Sequence, residues 1–559
     1  YCWGTSGQSK SVWCGNLKLN VTPNLKNGLR RLYKYSSSSR TEWFWIDQIC
    51  INQEDKSERT QQVRLMRAIY QQAKNTVIWL GTADGTAEKA LQLVSNIYRI
   101  SLLDSAKPAT PNNDSFAGNV SFSTVDSRLP PPDDERWVAL AQLLARPWFE
   151  RCWIIQEVVV SKDDPVMLYG DHEHLWLHFQ KAILYLLEYQ TNYQIDRMKF
   201  IHGISNLSFT QDLWELPALL HFTRPFQATD SKDKVFALLG LAGETVSPDE
   251  WPMELAPDYG RSLRDVYMDV TKYSIKRFQD LTILSQISEN ADGHSSEEYR
   301  IFPSWVPLWN LPQRVKALSA YNVIPNSKGW KKLVEKFNQA SQELPVSIHS
   351  YTPSHILRLE GLRVSNVQLC LPAVSAGQSQ SAKLSSSHSH PNALKQIPEL
   401  YELCLKNLRH SNSQTLARTF FLVTTAGLTP ENEDAHEEPL THFNAFLQRM
   451  RSNTSETVDV QPHFRQNKPD PTRYTLALAP LLHRRLFITS SGHLGLGPAN
   501  MMSGDTIVVL FGGRMLYVLR SFQDDQWKFI GECYVEGLMH GEALDDDKVK
   551  KETEQFDLV

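Results

Sequence analysis

Apolar positions in the first third of the chain change their period several times. Glu42–Asp47 (EWFWID) is a short aromatic and apolar run ending at an acid, which reads as a strand. From Glu58 to Lys74 the residues Val63, Met66, Ile69, Tyr70 and Ala73 recur at helical spacing on one face, and Asp55 with Glu58 has capping-box spacing. Thr76–Leu80 (TVIWL) is continuously apolar and stopped by Gly81, the pattern of a strand covered on both faces. Strand, helix of about four turns and buried strand together predict a right-handed parallel crossover. Asp47, Cys50, Asn52 and Gln53 then fall just beyond the carboxyl end of the first strand, where open α/β sheets bind ligands. Trp137–Ala145 and Arg151–Val160 read as helices that change direction at Pro147, and Pro165–Gly170 as a further strand.

Beyond residue 175 the pattern becomes mostly helical, with helices expected over His178–Tyr193, Leu213–Phe222 and Ser262–Arg277. The last third changes again. Ile356–Leu371, Arg485–Thr489, Thr506–Phe511, Met515–Leu519 and Trp527–Val535 are strand-like and separated by Gly or Asp turns. The expected organisation is an α/β domain over 1–175 with a solvated insertion at about 106–135, and a mostly helical region over 176–345 associated with it. A small, largely antiparallel β module with low-complexity insertions follows over 346–545, then a charged tail over 546–559.

Bulk properties narrow the function classes. The chain has 559 residues, 41% hydrophobic and 21% charged, enough to bury sizeable cores. Its net charge of −4 comes from nearly equal numbers of acids and bases, which argues against nucleic-acid binding. Seven cysteines lie scattered with no CxxC pair, so a reducing, cytoplasmic setting is expected rather than a disulfide framework. No apolar run reaches the ~18 residues of a membrane span; Thr506–Leu519 is interrupted by Gly512, Gly513 and Arg514.

The blocks YCWG (1–4), WIDQICINQ (45–53), QVRLMRAIYQQA (62–73) with VIWLG (77–81), and RPWFERCWIIQE (146–157) occur in that order. DSKDKVFALLGL (230–241), PDY (257–259) and PSWVPLW (303–309) follow, and then RRLFITSSGHLGLGP (484–498), SGDTIVVLFGG (503–513) and GECYVEGLMHGEAL (531–544). In this order and spacing they resemble the successive signatures of fungal heterokaryon-incompatibility (HET-domain) proteins. The resemblance runs through most of the chain and implies a role in non-self recognition and programmed cell death. It departs at the start, where family members usually have a strand before the YxWG block.

HET domains are thought to be related to TIR domains, so the resemblance implies a TIR-like, flavodoxin-like parallel sheet in the first domain. Several TIR domains split NAD at its nicotinamide glycosidic bond, using a Glu four residues after an aromatic on a helix. Trp153 and Glu157 have that spacing, which makes Glu157 the candidate catalytic carboxylate and NAD a substrate rather than a cofactor. A fixed carboxylate beside the ribose stabilises the oxocarbenium-like charge that develops there. The alternative for Glu157 is a surface acid paired with Arg151. Asp47, Asn52, Gln53 and Trp153 are candidate substrate-binding residues; Asp47, Asn52 and Gln53 serve equally well as turn and cap formers. Cys50 reads as a core residue, since neither adjacent block holds a His to activate it.

Trp3, Trp45, Trp79 and Trp148 read as core or lid aromatics. His172-Glu173-His174 with His178 lacks a zinc pattern and reads as a loop or strand end, and His388 and His390 sit in a Ser-rich loop. Gly495-Leu496-Gly497-Pro498 reads as a turn rather than a dinucleotide fingerprint. The family resemblance further implies self-association and an incompatibility partner protein. The competing reading is a non-enzymatic signalling module acting by those contacts alone.

Overall fold

The apolar run after the amphipathic helix is a strand, and it pairs in parallel, as its two-sided burial requires. The computed structural model describes residues 10–35, 43–105, 127–189, 197–209, 214–245, 251–287, 299–313, 315–319, 339–342, 344–347, 355–374, 391–408, 412–430, 433–452, 469–523, 525–544 and 553–559. They divide into two units, Tyr1–Leu263 and Arg264–Val559. No helix among the described residues is long and apolar enough to cross a membrane.

The first unit opens with an antiparallel hairpin, β1 (Lys10–Cys14) and β2 (Leu17–Val21), followed by α1 (Pro23–Tyr35), a short α2 (Asp47–Cys50) and α3 (Lys56–Gln72). Then come β3 (Val77–Trp79), α4 (Ala87–Ser105), α5 (Glu135–Leu144), a 3-10 turn at Pro147–Glu150 and α6 (Ile154–Val159). The unit continues with β4 (Val166–Tyr169), β5 (His172–Leu175), α7 (Trp176–Tyr189), α8 (Met198–Phe209), α9 (Leu216–Phe222) and α10 (Asp233–Leu239). The sheet order is β3-β4-β5, with Ile78 facing Met167 in the parallel pair and β5 returning antiparallel. Gly170 makes the β4–β5 turn at φ +58°, and a Cβ there would lie 2.3 Å from the Cβ of Ala83.

Two expectations for this unit need correction. The strand expected over Glu42–Asp47 is not found in its described part: residues 43–46 are irregular and lead directly into α2. Trp43 is 93% exposed and Phe44 is also exposed, so the run has no covering layer. The parallel crossover exists, but it joins β3 to β4 through α4 and α5 instead of joining EWFWID to β3. The unit runs to Leu263 and takes in α7 to α10. α4 was not marked by the sequence reading, yet Leu93, Val94 and Ile97 on its inner face are fully buried.

The second unit begins with α11 (Leu263–Phe278) and the long strand β6 (Leu357–Ala373). Four helices follow, α12 (Pro391–Asn407), α13 (Ser413–Thr425), α14 (Thr441–Arg451) and α15 (Pro471–Ala477). Then come β7 (Arg484–Thr489), β8 (Leu494–Pro498), β9 (Thr506–Leu510), β10 (Leu516–Ser521), β11 (Gln526–Val535) and β12 (Glu554–Leu558). The strands pair in the order β10-β9-β6-β12-β11 and β11 returns to β10, which closes a ring. β7 and β8 bridge the other halves of β6 and β11. The structure is therefore a closed barrel with inserted helices. Gly361 lets β6 meet β9, since a Cβ there would lie 2.2 Å from the carbonyl oxygen of Val509.

The expected strands of this unit are present to within a residue or two at their ends. The helix expected over Ser262–Arg277 is α11, whereas α12 to α15 were missed, and the expected charged tail contains the barrel strand β12. In that strand Phe556 and Leu558 are fully buried, while Asp557 pairs with Arg358 through two hydrogen bonds of 2.5 and 2.7 Å. Gly495–Pro498 is likewise strand β8 and not a turn, because the missing Cβ of Gly495 admits the Phe487 ring against it. Shortening Phe556 to Ala should leave a cavity inside the closed ring. We expect a loss of about 3–5 kcal/mol in the second unit, read by chemical denaturation.

Candidate functional site

The segment from Asp47 to Glu58 is held by side-chain to backbone bonds. Asp47 opens α2, its Oδ1 accepting the Gln48 N–H at 2.8 Å, and its carbonyl accepts Gln53 Nε2 at 3.0 Å. Asn52 Oδ1 accepts the Glu54 N–H at 3.2 Å, the local turn expected of that residue type. Asp55 caps α3 by accepting from Ser57 and Glu58, while Glu58 reaches past the cap to the Asn52 N–H at 2.9 Å. Asn52 and Gln53 are thus tied by their side chains into the turn between α2 and α3. Cys50, expected in the core, is exposed at the end of α2. α2 has no buried residue, so this helix has no inward face to bury its thiol.

Glu157 lies on α6 and is 7% exposed. Trp148 donates its indole N–H to Oε2 at 3.1 Å, and the Arg151 guanidinium lies 4.0 Å from Oε1. The phenol of Tyr70 on α3 is pushed well above its ordinary range, by burial first, then by Glu157 and Asp47, with Arg151 opposing. Two of the acids singled out in the sequence therefore act on one hydroxyl, with Trp45 set edge-on to the Tyr70 ring at 6.1 Å.

Trp153 does not share that environment. Its indole N–H donates to Asp233 Oδ2 at 3.1 Å, and the Tyr259 hydroxyl donates to Asp233 Oδ1 at 2.6 Å. The Arg59 guanidinium stacks 3.8 Å above the Tyr259 ring. Burial raises the Asp233 carboxyl to about 6, against the two hydrogen bonds that favour its charged form. Beside it burial lowers Lys234 to about 8, with Nζ donating to the carbonyls of Arg224 and Phe226. Cys152, above the same cluster, has its thiol raised to about 12 by burial and is inert as a nucleophile at neutral pH. Spacing alone had paired Trp153 with Glu157; the fold gives it to a different acid.

Comparison with known families now bears on these positions. Residues 1–157 match the family model "Heterokaryon incompatibility protein (HET)", and residues 392–559 match the "Het-6 beta-barrel domain". The chain is a HET-domain protein. Heterokaryon incompatibility protein 6, OR allele, of Neurospora crassa is 23% identical, in an alignment that takes in all of this chain and 91% of that protein. No solved structure matches the chain significantly. The HET match ends at Glu157, so Asp233 and Tyr259 lie outside it, yet they complete the surroundings of its last helix.

The first unit also holds a cluster that the sequence reading missed. At the carboxyl ends of the parallel strands, Arg146 bridges Asp84 Oδ2 at 2.6 Å and the Tyr169 hydroxyl, which donates to Asp84 Oδ1 at 3.0 Å. The Thr86 hydroxyl first, with Tyr169 and Arg146 assisting, holds the Asp84 carboxyl below its usual range. The available signal was Gly81, at φ +105° directly after a buried strand, with Asp84-Gly85 before a helix.

The remaining candidates have structural surroundings. His172, Glu173 and His174 lie on β5, where Glu173 pairs with Arg31 at 2.6 Å and His174 meets Ser95 at 3.2 Å. His178 stacks on Tyr98. Among the described residues no three His, Cys, Asp or Glu side chains are arranged to hold a metal ion. Trp79 and Trp148 are buried and Trp45 is half-buried, whereas Trp3, His388 and His390 lie outside the described residues.

Asp233 gives this site a pH signature. Its folded carboxyl titrates near 6, above the ordinary unfolded value of ~3.9. Its contribution to stability is thus complete below about pH 4 and is lost as pH rises through 6, at a slope of up to about 1.4 kcal/mol per pH unit. Thermal melts between pH 4 and 7 should show this loss in the native protein and a flatter profile in Asp233→Asn.

Proposed function

We propose that this HET-domain protein acts in fungal non-self recognition, in the cytoplasm, with the HET domain triggering programmed cell death and the barrel contributing recognition of an incompatibility partner. The observation that carries this reading is the co-occurrence of both domains in a chain that aligns end to end with an incompatibility protein.

Two outputs are compatible with that role, and the geometry favours the non-enzymatic one. Glu157 is buried, takes an indole N–H from Trp148 and lies beside Arg151, and the aromatic four residues before it serves Asp233. A carboxylate that must face an oxocarbenium-like ribose needs an open approach, and these partners fill the approach to Glu157. On this reading the HET domain signals by self-association and partner contact.

The second reading is a TIR-like NAD glycohydrolase with Glu157 as the essential carboxylate and Asp47 as a ribose-orienting group. What supports it is that the two acids lie close enough to the Tyr70 hydroxyl to raise it together, with Arg151 beside Glu157. NAD consumption by the purified full chain, at concentrations that favour self-association, separates the two. We expect no loss of NAD above buffer, and growth arrest on overexpression in a fungal host by both the native chain and Glu157→Gln. NAD loss that Glu157→Gln abolishes while its melting temperature is retained would establish the glycohydrolase instead.

A further inference from the structure

α3 carries Lys56, Thr60 and Arg64 four residues apart, and Ser57 and Gln61 on the adjoining stripe, so five hydrogen-bond donors share one face of the helix. These side chains, with Asp258 of the PDY block, line a cavity of about 380 Å³ in the first unit. The lining holds two cations, two hydroxyls and a carboxamide against one carboxylate. That carboxylate is already engaged, since Asp258 Oδ1 accepts the Gly260 N–H at 2.7 Å. Thr60 accepts the Tyr259 N–H at its hydroxyl oxygen, which leaves the hydroxyl proton to donate elsewhere. Arg64 leans on Trp251, 5.9 Å from the ring, and its Nε is buried with no hydrogen-bond partner. The Arg64 guanidinium, half-buried against Trp251, adds its charge to that of Lys56 in the same lining and offers N–H donors to an anion.

We infer that this cavity binds the phosphate groups of a small soluble phosphate ester, of the nucleoside diphosphate class. The volume sits at the small end of ligand sites, which admits a diphosphate and leaves the attached nucleoside at the mouth. Asp258 and Gly260 of the lining flank Tyr259, which is tied through Asp233 to Trp153 at the start of α6. Occupancy at α3 is thereby linked to the helix that carries Glu157. The inference stands on the α3 face alone and is independent of whether the HET domain cleaves NAD.

Isothermal titration calorimetry of the full chain with ADP and with inorganic pyrophosphate, in low-salt buffer without phosphate, tests it. Sub-millimolar binding of either probe is expected; tighter binding of ADP shows that the nucleoside contributes, and equal binding shows that the diphosphate alone is read. Arg64→Gln should weaken the binding about tenfold, as loss of a charge-assisted bond does. Lys56→Met, at an exposed position, should weaken it severalfold and serves where Arg64→Gln fails to fold. Lys74→Met, beyond the end of α3, should bind as the native chain does. Absence of binding by both probes, or affinities that Lys56→Met and a folded Arg64→Gln leave unchanged, overturns the inference.

Discussion

A carboxylate carried into the interior of a domain must be given donors, and Asp233 is the place where the HET-containing unit meets that demand. It takes one hydrogen bond from Trp153 on α6 and one from Tyr259 in the PDY turn, whose ring is in turn covered by Arg59 of α3. Three elements far apart in sequence are positioned by one acid. The same contact zone explains the glycine in LLGL. Gln156 on α6 donates to the Ala237 carbonyl, and a Cβ at Gly240 would lie 2.6 Å from its amide, so the glycine leaves room for that side chain. Every residue of α10 is buried, Asp233 and Lys234 included, which is why charged residues here behave as core.

The second unit meets an equivalent demand with a buried ion pair. Arg484 at the start of β7 and Glu532 in β11 are each 4% exposed at the side chain and lie 3.0 Å apart. Glu532 also accepts the Leu318 N–H, and Arg484 donates to the Lys316 and Pro480 carbonyls. The pair therefore does more than neutralise itself; it anchors the 315–319 segment and the turn before β7 to the barrel wall. An apolar pair of the same volume would fill the space without fixing those chain segments, so the value of the charges here is specificity of the arrangement.

Much of this was legible in the sequence wherever one force dominated. Long amphipathic runs gave α3 and α11, and alternation or unbroken apolarity gave β3, β4 and the barrel strands, because burial alone decides those elements. Where burial competed with partner choice the reading failed. EWFWID has the composition of a strand, but a strand also needs a neighbour, and none covers Trp43. The EQFDL stretch looked like a charged tail because its polar positions are charged, although Phe556 and Leu558 alternate with them as a half-buried strand requires. Of the candidate site, Glu157 and Asp47 could be singled out from the sequence, since Glu157 closes the RPWFERCWIIQE block and Asp47 the EWFWID run. The roles of Asp233, Tyr259 and Arg146 were not, because the bonds and ring contacts described for them join residues at least 23 apart and no local spacing encodes them.

The short helix α6 shows how far a spacing rule carries. Residues four apart on a helix share a face when the helix is exposed and regular. α6 has only six residues, Trp153 stands at its N-cap, and four of the five residues from Trp153 to Glu157 are buried, so each side chain is directed by whichever neighbour covers it. Trp153 therefore turns to the polar interior made by α10 and the PDY turn, and Glu157 to the indole of Trp148. An aromatic and an acid at this spacing form one functional pair only if the covering elements leave both facing the same space. Here they divide the two between separate partners, and any chemistry that joins them must first move one of those partners away.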